Sequence, residues 1–209
     1  MAKAAGEGRE LCDRLGHQTA LRLVGAHLVG ASLAAVSDAL TSASITGHGP
    51  GFGTLDVAVL GPYLVATLFA GTVVGKRSCD RALRWLLEDR QPTPQERRLT
   101  LALPWRLAAE GLVFWLGAAL IWGLLDAFYY SNSTSYSIRV SMSIVLGGLA
   151  MSALSYLLVE RISRPVVALA LKGDVPERAG ALGVKTRLML SWALGADVFL
   201  IMIGLTFYG

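Results

Sequence analysis

A carboxylate stands in the middle of an apolar stretch. Asp197, between Ala196 and Val198, lies near the centre of the stretch covering residues 187–208. An ionised acid at the centre of a membrane helix costs about 2.5–3.5 kcal/mol on insertion scales. Such a side chain must face a bundle interior, stay protonated or hold a partner. The partners the chain offers are His27, near mid-depth of the first apolar stretch, and a Ser or Thr hydroxyl. Two roles remain open for Asp197: a protonated acid in an interhelical hydrogen bond, or a group that senses a ligand or a proton.

A second polar set gathers at the opposite end of the stretches from most of the basic residues. Asp38 and Asp56 flank the loop over residues 41–54, and Asp126 and Arg139 flank the turn over residues 129–137. These four read either as solvated interfacial charge or as an outer polar rim around a ligand entrance. Asp126 and Arg139 are placed to pair across their turn, a contact worth about 0–1 kcal/mol if exposed. Glu110 follows Arg106 at i+4 spacing, which predicts an ion pair along one helix face.

Other chemistries lack their parts. His17, His27 and His48 fall at three different depths, and Cys12 and Cys79 have no metal-ligand spacing around them. No Ser-His-Asp set converges at one depth, so no catalytic residue, metal or cofactor is assigned to this chain. Trp105, Trp115, Trp122 and Trp192, with Tyr129, Tyr130 and Tyr136, suit interface anchoring and packing.

The elements that position these residues are membrane spans. The chain is 54% hydrophobic and only 16% charged, where a soluble domain carries about a quarter charged residues. Its mean hydropathy is +0.53. Five apolar stretches, near 19–40, 55–75, 108–129, 138–159 and 187–208, each match the roughly 20 residues that cross a bilayer core. The first is too long, and too clearly one of a series, for a cleavable signal peptide. The runs are continuous and do not alternate, which argues against a β-barrel.

The 19 Lys and Arg residues fall on alternate sides of these stretches. Lys3, Arg9 and Arg14 precede the first. Eight lie between Lys76 and Arg106, and six between Arg161 and Arg187, while the loops over residues 41–54 and 129–137 carry none. Positive charge near a span end holds that end in the cytoplasm. The pattern predicts a multi-pass plasma-membrane protein with its N-terminus inside and residue 209 outside. It also places Cys12 and Cys79 in the cytoplasm, where no structural disulfide is expected. The net charge of +4 comes from basic residues at span ends, where anionic headgroups account for it, and nucleic acid is not an expected partner.

The expected fold is all-α: one polytopic transmembrane bundle over residues 1–209, built from repeated two-helix hairpins. Cytoplasmic amphipathic connectors are expected at about 78–90 and 164–173. The first alternates Ala82, Leu83, Trp85 and Leu86 with Asp80, Arg81 and Arg84, which suits a short helix lying on the inner membrane surface. The repeat shows in Pro94-Gln-Glu96-Arg97 with Arg106-Leu107, matched 81 residues later, from Glu177 on, by Glu177-Arg178 with Arg187-Leu188. Gly71 and Gly75 form a GxxxG spacing, which serves close helix packing within the subunit or between subunits.

One segment carries a family resemblance. Arg164-Pro165-Val-Val-Ala-Leu-Ala-Leu is followed by Gly173-Asp-Val-Pro176 and by Gly183-Val-Lys-Thr-Arg187-Leu-Met-Leu-Ser-Trp192-Ala-Leu-Gly195. It resembles the membrane part of actinobacterial, including mycobacterial, class III adenylate cyclases with six spans, a HAMP linker and a cytoplasmic cyclase domain. Leu103-Pro104-Trp105-Arg106-Leu107 fits the same pattern. The resemblance implies a membrane anchor and sensory domain, a homodimer, and regulation by a lipid, small molecule or membrane protein. It implies cyclic AMP synthesis elsewhere in the parent protein, which would need ATP with Mg or Mn. The sixth span, the HAMP heptads and the cyclase domain have no counterpart in these residues, so no catalytic position carries over. The alternatives are a transporter or channel subunit, for which no broken-helix pair or filter motif is present, and a bare anchor without a ligand.

Overall fold

The computed structural model describes residues 19–32, 54–171 and 189. Within them the chain is helical, without strands. Helix α1 covers residues 19–32, α2 Thr54–Leu87, α3 Pro94–Leu124 and α4 Thr134–Ala170. A π-helical turn, Leu125–Tyr129, continues α3. Helices α2, α3 with its π turn, and α4 are long and apolar enough to cross a membrane. The fifth apolar stretch lies outside the described residues apart from Met189. So do the second copy of the repeat up to Arg187-Leu188 and the segment after residue 171 that completes the second expected connector.

The connectors differ from expectation. No break separates the second span from residues 78–87, because α2 is one helix of 34 residues. Likewise α4 runs 37 residues through Arg164 and Pro165. At 1.5 Å per residue α2 is about 51 Å long, roughly 20 Å more than the hydrocarbon core of a bilayer. The surplus does not lie flat. Ala82, Leu83 and Trp85 of α2 pack with Leu103 and Leu107 of α3 and with Val159, Val166 and Ala170 of α4. The apolar face read as membrane-facing is covered by two neighbouring helices instead. Residues 76–87 hold no Gly or Pro to interrupt the helix, and burial against protein removes more apolar surface from water than resting on headgroups would. The charged ends of α2 and α3 therefore form, with the end of α4, a packed three-helix stub.

The corner that joins α2 to α3 is fixed by polar contacts. Thr93 caps α3: its hydroxyl accepts from the Glu96 N–H while Glu96 accepts from the Thr93 N–H, a reciprocal capping box with Pro94 in the first turn. The Arg90 guanidinium spans both carboxylates of the corner, meeting Glu88 at 2.6 Å and Glu96 at 2.7 Å. Asp89 takes φ of 50° to make the turn. Beneath it Thr100, fully buried, donates to the Ala82 carbonyl at 2.7 Å and accepts from Trp85 Nε1 at 3.3 Å.

Arg90, and then the Thr93 contacts, hold the Glu96 carboxyl down at about 2. A depressed acid stabilises the folded corner fully above its unfolded value of about 4.5, and that stabilisation disappears as pH falls through the folded value. The Thr93 amide resonance, in detergent micelles, is therefore expected to titrate with a midpoint near pH 2. It should not titrate in Glu96→Gln. A midpoint near 4.5 in the wild type would show that the clamp does not form.

Candidate functional site

The mid-depth polar residue His27 is read from α3. Gly111 and Trp115 are one turn apart on that helix and both meet His27 of α1. Trp115 Nε1 donates to His27 Nδ1 at 3.0 Å. The Cε1–Nε2 edge of the imidazole lies against Gly111, where a Cβ would stand 3.0 Å from both atoms. Because Nδ1 accepts, the ring proton sits on Nε2. Asp197, the other mid-depth candidate, and Asp38 of the outer rim lie outside the described residues.

Trp115 is the hub of this region. It is buried at 9% exposure. Its Cβ occupies the space that a side chain on Gly148 of α4 would need, and its ring edge lies 3.2 Å from where a Cβ on Gly30 of α1 would stand. Three helices thus close on one indole because two of them present glycine to it. The sequence supports Trp115 as a packing residue, but its hydrogen bond and its glycine slot emerge only from the fold.

Between α1, α2, α3 and α4 lies a cavity of about 590 Å³, within the range of small-molecule sites. It is bordered mainly by apolar side chains and extends along α3 from Thr100 to Trp122. Its polar neighbours are scattered along it. Tyr63 donates to the Phe114 carbonyl and Thr67 to the Tyr63 carbonyl at 2.8 Å. Ser78 of α2 donates to Glu110 at 2.8 Å. The expected Arg106–Glu110 pair does not form among the described residues: Arg106 is exposed, and half-buried Glu110 turns to α2. The GxxxG pair faces α3 within the chain, Gly71 against Phe114 and Gly75 against Leu107. That position serves α2–α3 packing.

The outer residues assemble in part. Asp56, in the first turn of α2, is buried at 4% exposure and accepts from Tyr130 Oη at 2.6 Å. Asp126 accepts from Asn132 Nδ2 at 3.0 Å and is close enough to Asp56 for the two charges to interact. Arg139 forms no ion pair with Asp126 among the described residues, and its Nη1 is buried without a hydrogen-bond partner. The cause is local: the π turn keeps Asp126 over its own turn, where Asn132 satisfies it. Tyr130 is the residue that sequence reasoning placed only as an anchor. Its phenol is pushed up to about 12, by burial first and then by the bond to Asp56. The Tyr130–Asp56 bond ties the start of α2 to the α3–α4 turn.

No group of three or more His, Cys, Asp or Glu side chains could hold a metal ion among the described residues. The region can offer an apolar, elongated volume with isolated hydrogen-bonding groups, which suits binding.

No protein-family profile matches the chain, and no solved structure matches it. It is 34% identical over 152 residues to the uncharacterized protein Rv1318c of Mycobacterium tuberculosis, which covers 72% of this chain and 27% of that protein. It is 33% identical over 153 residues to the uncharacterized protein Rv1319c of the same organism, covering 73% and 26%. To the uncharacterized protein Mb1354c of Mycobacterium bovis it is 32% identical over 144 residues, covering 69% and 25%. The chain spans about a quarter of the length of the curated relatives it matches.

Proposed function

We propose that this chain is the membrane anchor and sensory domain of an adenylate cyclase, and that it biases cyclic AMP synthesis by a cytoplasmic domain. The resemblance of residues 164–195 to the membrane part of class III cyclases is the observation that carries this reading. Two further observations support it. The mycobacterial relatives extend well beyond the matched segment. The three-helix stub continues α2, α3 and α4 past their apolar segments as a packed unit, which in this reading carries a shift in the spans to the output domain.

In this reading the bundle has five spans from two-helix units, its N-terminus is cytoplasmic, and it works as a homodimer in the plasma membrane. A regulator that binds one arrangement of the spans better than another shifts the output by that difference in affinity. In this reading parent catalysis uses ATP with Mg or Mn in the cytoplasmic domain.

The test is expression in a bacterium lacking its own cyclase. The complete reading frame that carries this segment is expected to restore cyclic AMP, and residues 1–209 alone to make none. A complete protein that is membrane-inserted yet forms no cyclic AMP from ATP with either metal would end the proposal.

A further inference from the structure

Several donors around the cavity are used inside the protein: Tyr63, Thr67 and Thr72 each donate to a backbone carbonyl of the bundle. His27 is not among them. Its Nδ1 accepts from Trp115, which fixes the remaining proton on Nε2, and that N–H has no hydrogen-bond partner among the described residues. A donor left unpaired in an apolar site costs the desolvation of that group, about 1–3 kcal/mol. The cavity beside it follows α3 from Thr100 to Trp122, about 33 Å of helix.

The charge around His27 selects among acceptors. Its ring packs on Gly111, the residue after Glu110, and Asp80 borders the same cavity toward the stub. Glu110 disfavours an anion at this level, and Asp80 lies further toward the stub, a turn beyond Lys76. Lys76, the cation bordering the cavity, is exposed and follows Gly75, which packs at Leu107, a turn closer to the stub than Gly111.

We infer that the cavity binds an uncharged, elongated apolar molecule whose carbonyl oxygen accepts the Nε2–H of His27. The tail lies along α3, and Trp115 holds the imidazole in the donating tautomer. This deepens the sensory reading by giving the site a ligand class. The chemistry is that of an alkyl quinone or of a fatty acyl ester, which share the neutral carbonyl and differ in the ring.

The full chain in nanodiscs of uncharged lipid tests this by direct retention of three probes: a decyl-substituted benzoquinone, methyl myristate and myristate. At least one neutral carbonyl probe is expected to bind saturably, one per chain, and the arm that binds identifies the source. His27→Leu should weaken that binding about three- to tenfold, the worth of one neutral hydrogen bond. His27→Gln, which keeps an acceptor for Trp115 and a donor for the ligand, should stay within about twofold of wild type. Decylbenzene, with the tail and no carbonyl, should bind wild type about three- to tenfold more weakly than the quinone, a comparison that needs no variant. The inference is overturned if neither neutral probe is retained above protein-free nanodiscs, if retention ignores both His27→Leu and the missing carbonyl, or if myristate binds more tightly than its ester. Cyclic AMP output plays no part in these readouts, so their failure removes the site and leaves the anchor reading standing.

Discussion

Replacing Trp85 by alanine is expected to destabilise the folded bundle by about 3–5 kcal/mol, the usual cost of deleting a large buried aromatic side chain. Trp85 is 4% exposed and sits where α2, α3 and α4 meet beyond their apolar segments. In the proposed reading the stub faces water, so the full hydrophobic penalty applies there. Trp85→Phe keeps most of the buried surface but loses the Nε1 contacts to Thr100 and the Ala82 carbonyl. Thr100 still donates to Ala82, so that variant should lose only about 1 kcal/mol. Thermal or denaturant unfolding in mild detergent measures both. A loss below about 1 kcal/mol for Trp85→Ala would mean that the indole rests on the membrane surface and that the stub does not pack.

Gly148→Ala is expected to cost about 1–3 kcal/mol, although alanine is the better helix former. A Cβ at this position would overlap Trp115 Cβ and stand 2.8 Å from Cγ, the root of the side chain and the part least able to swing aside. Relief requires α3 and α4 to separate, which also pulls Trp115 from His27. Gly147→Ala is the matched control: its Cβ meets nothing within 4 Å, so it should be neutral or slightly stabilising. Unfolding of the two variants side by side separates helix propensity from packing. Equal behaviour of Gly147→Ala and Gly148→Ala would remove Trp115 from the α3–α4 contact.

Much of the architecture was legible in the sequence. Helical structure and membrane-length spans follow from apolar runs of the right length, since a backbone in lipid has few other ways to satisfy its hydrogen bonds. The turn between α3 and α4 was marked by its cluster of Ser, Asn and Thr. Helix ends were harder. Residues 78–87 are amphipathic, and amphipathicity states that one side is covered without stating by what. A membrane surface and a pair of neighbouring helices leave the same pattern. The capping box at Thr93 and Glu96 was present in the sequence, and it was the available signal that a long helix starts at Pro94 rather than at residue 108.

The sites divide in the same way. His27 and the outer acids could be singled out, because polar groups among apolar neighbours are costly and therefore conspicuous. Their partners could not. Glu110 has Arg106 at helical spacing, yet it bonds to Ser78, 32 residues away. Asp126 could reach toward Arg139, yet it bonds to Asn132 within its own turn. Asp56 is joined to Tyr130 across 74 residues. Sequence by itself determined that the described chain is helical and that it holds runs long and apolar enough to cross a membrane, because these depend on composition and length along one chain. Tertiary structure alone decided which glycine admits Trp115, which nitrogen of His27 carries the proton and which face of α2 meets protein, because each depends on the rotation of one helix against another.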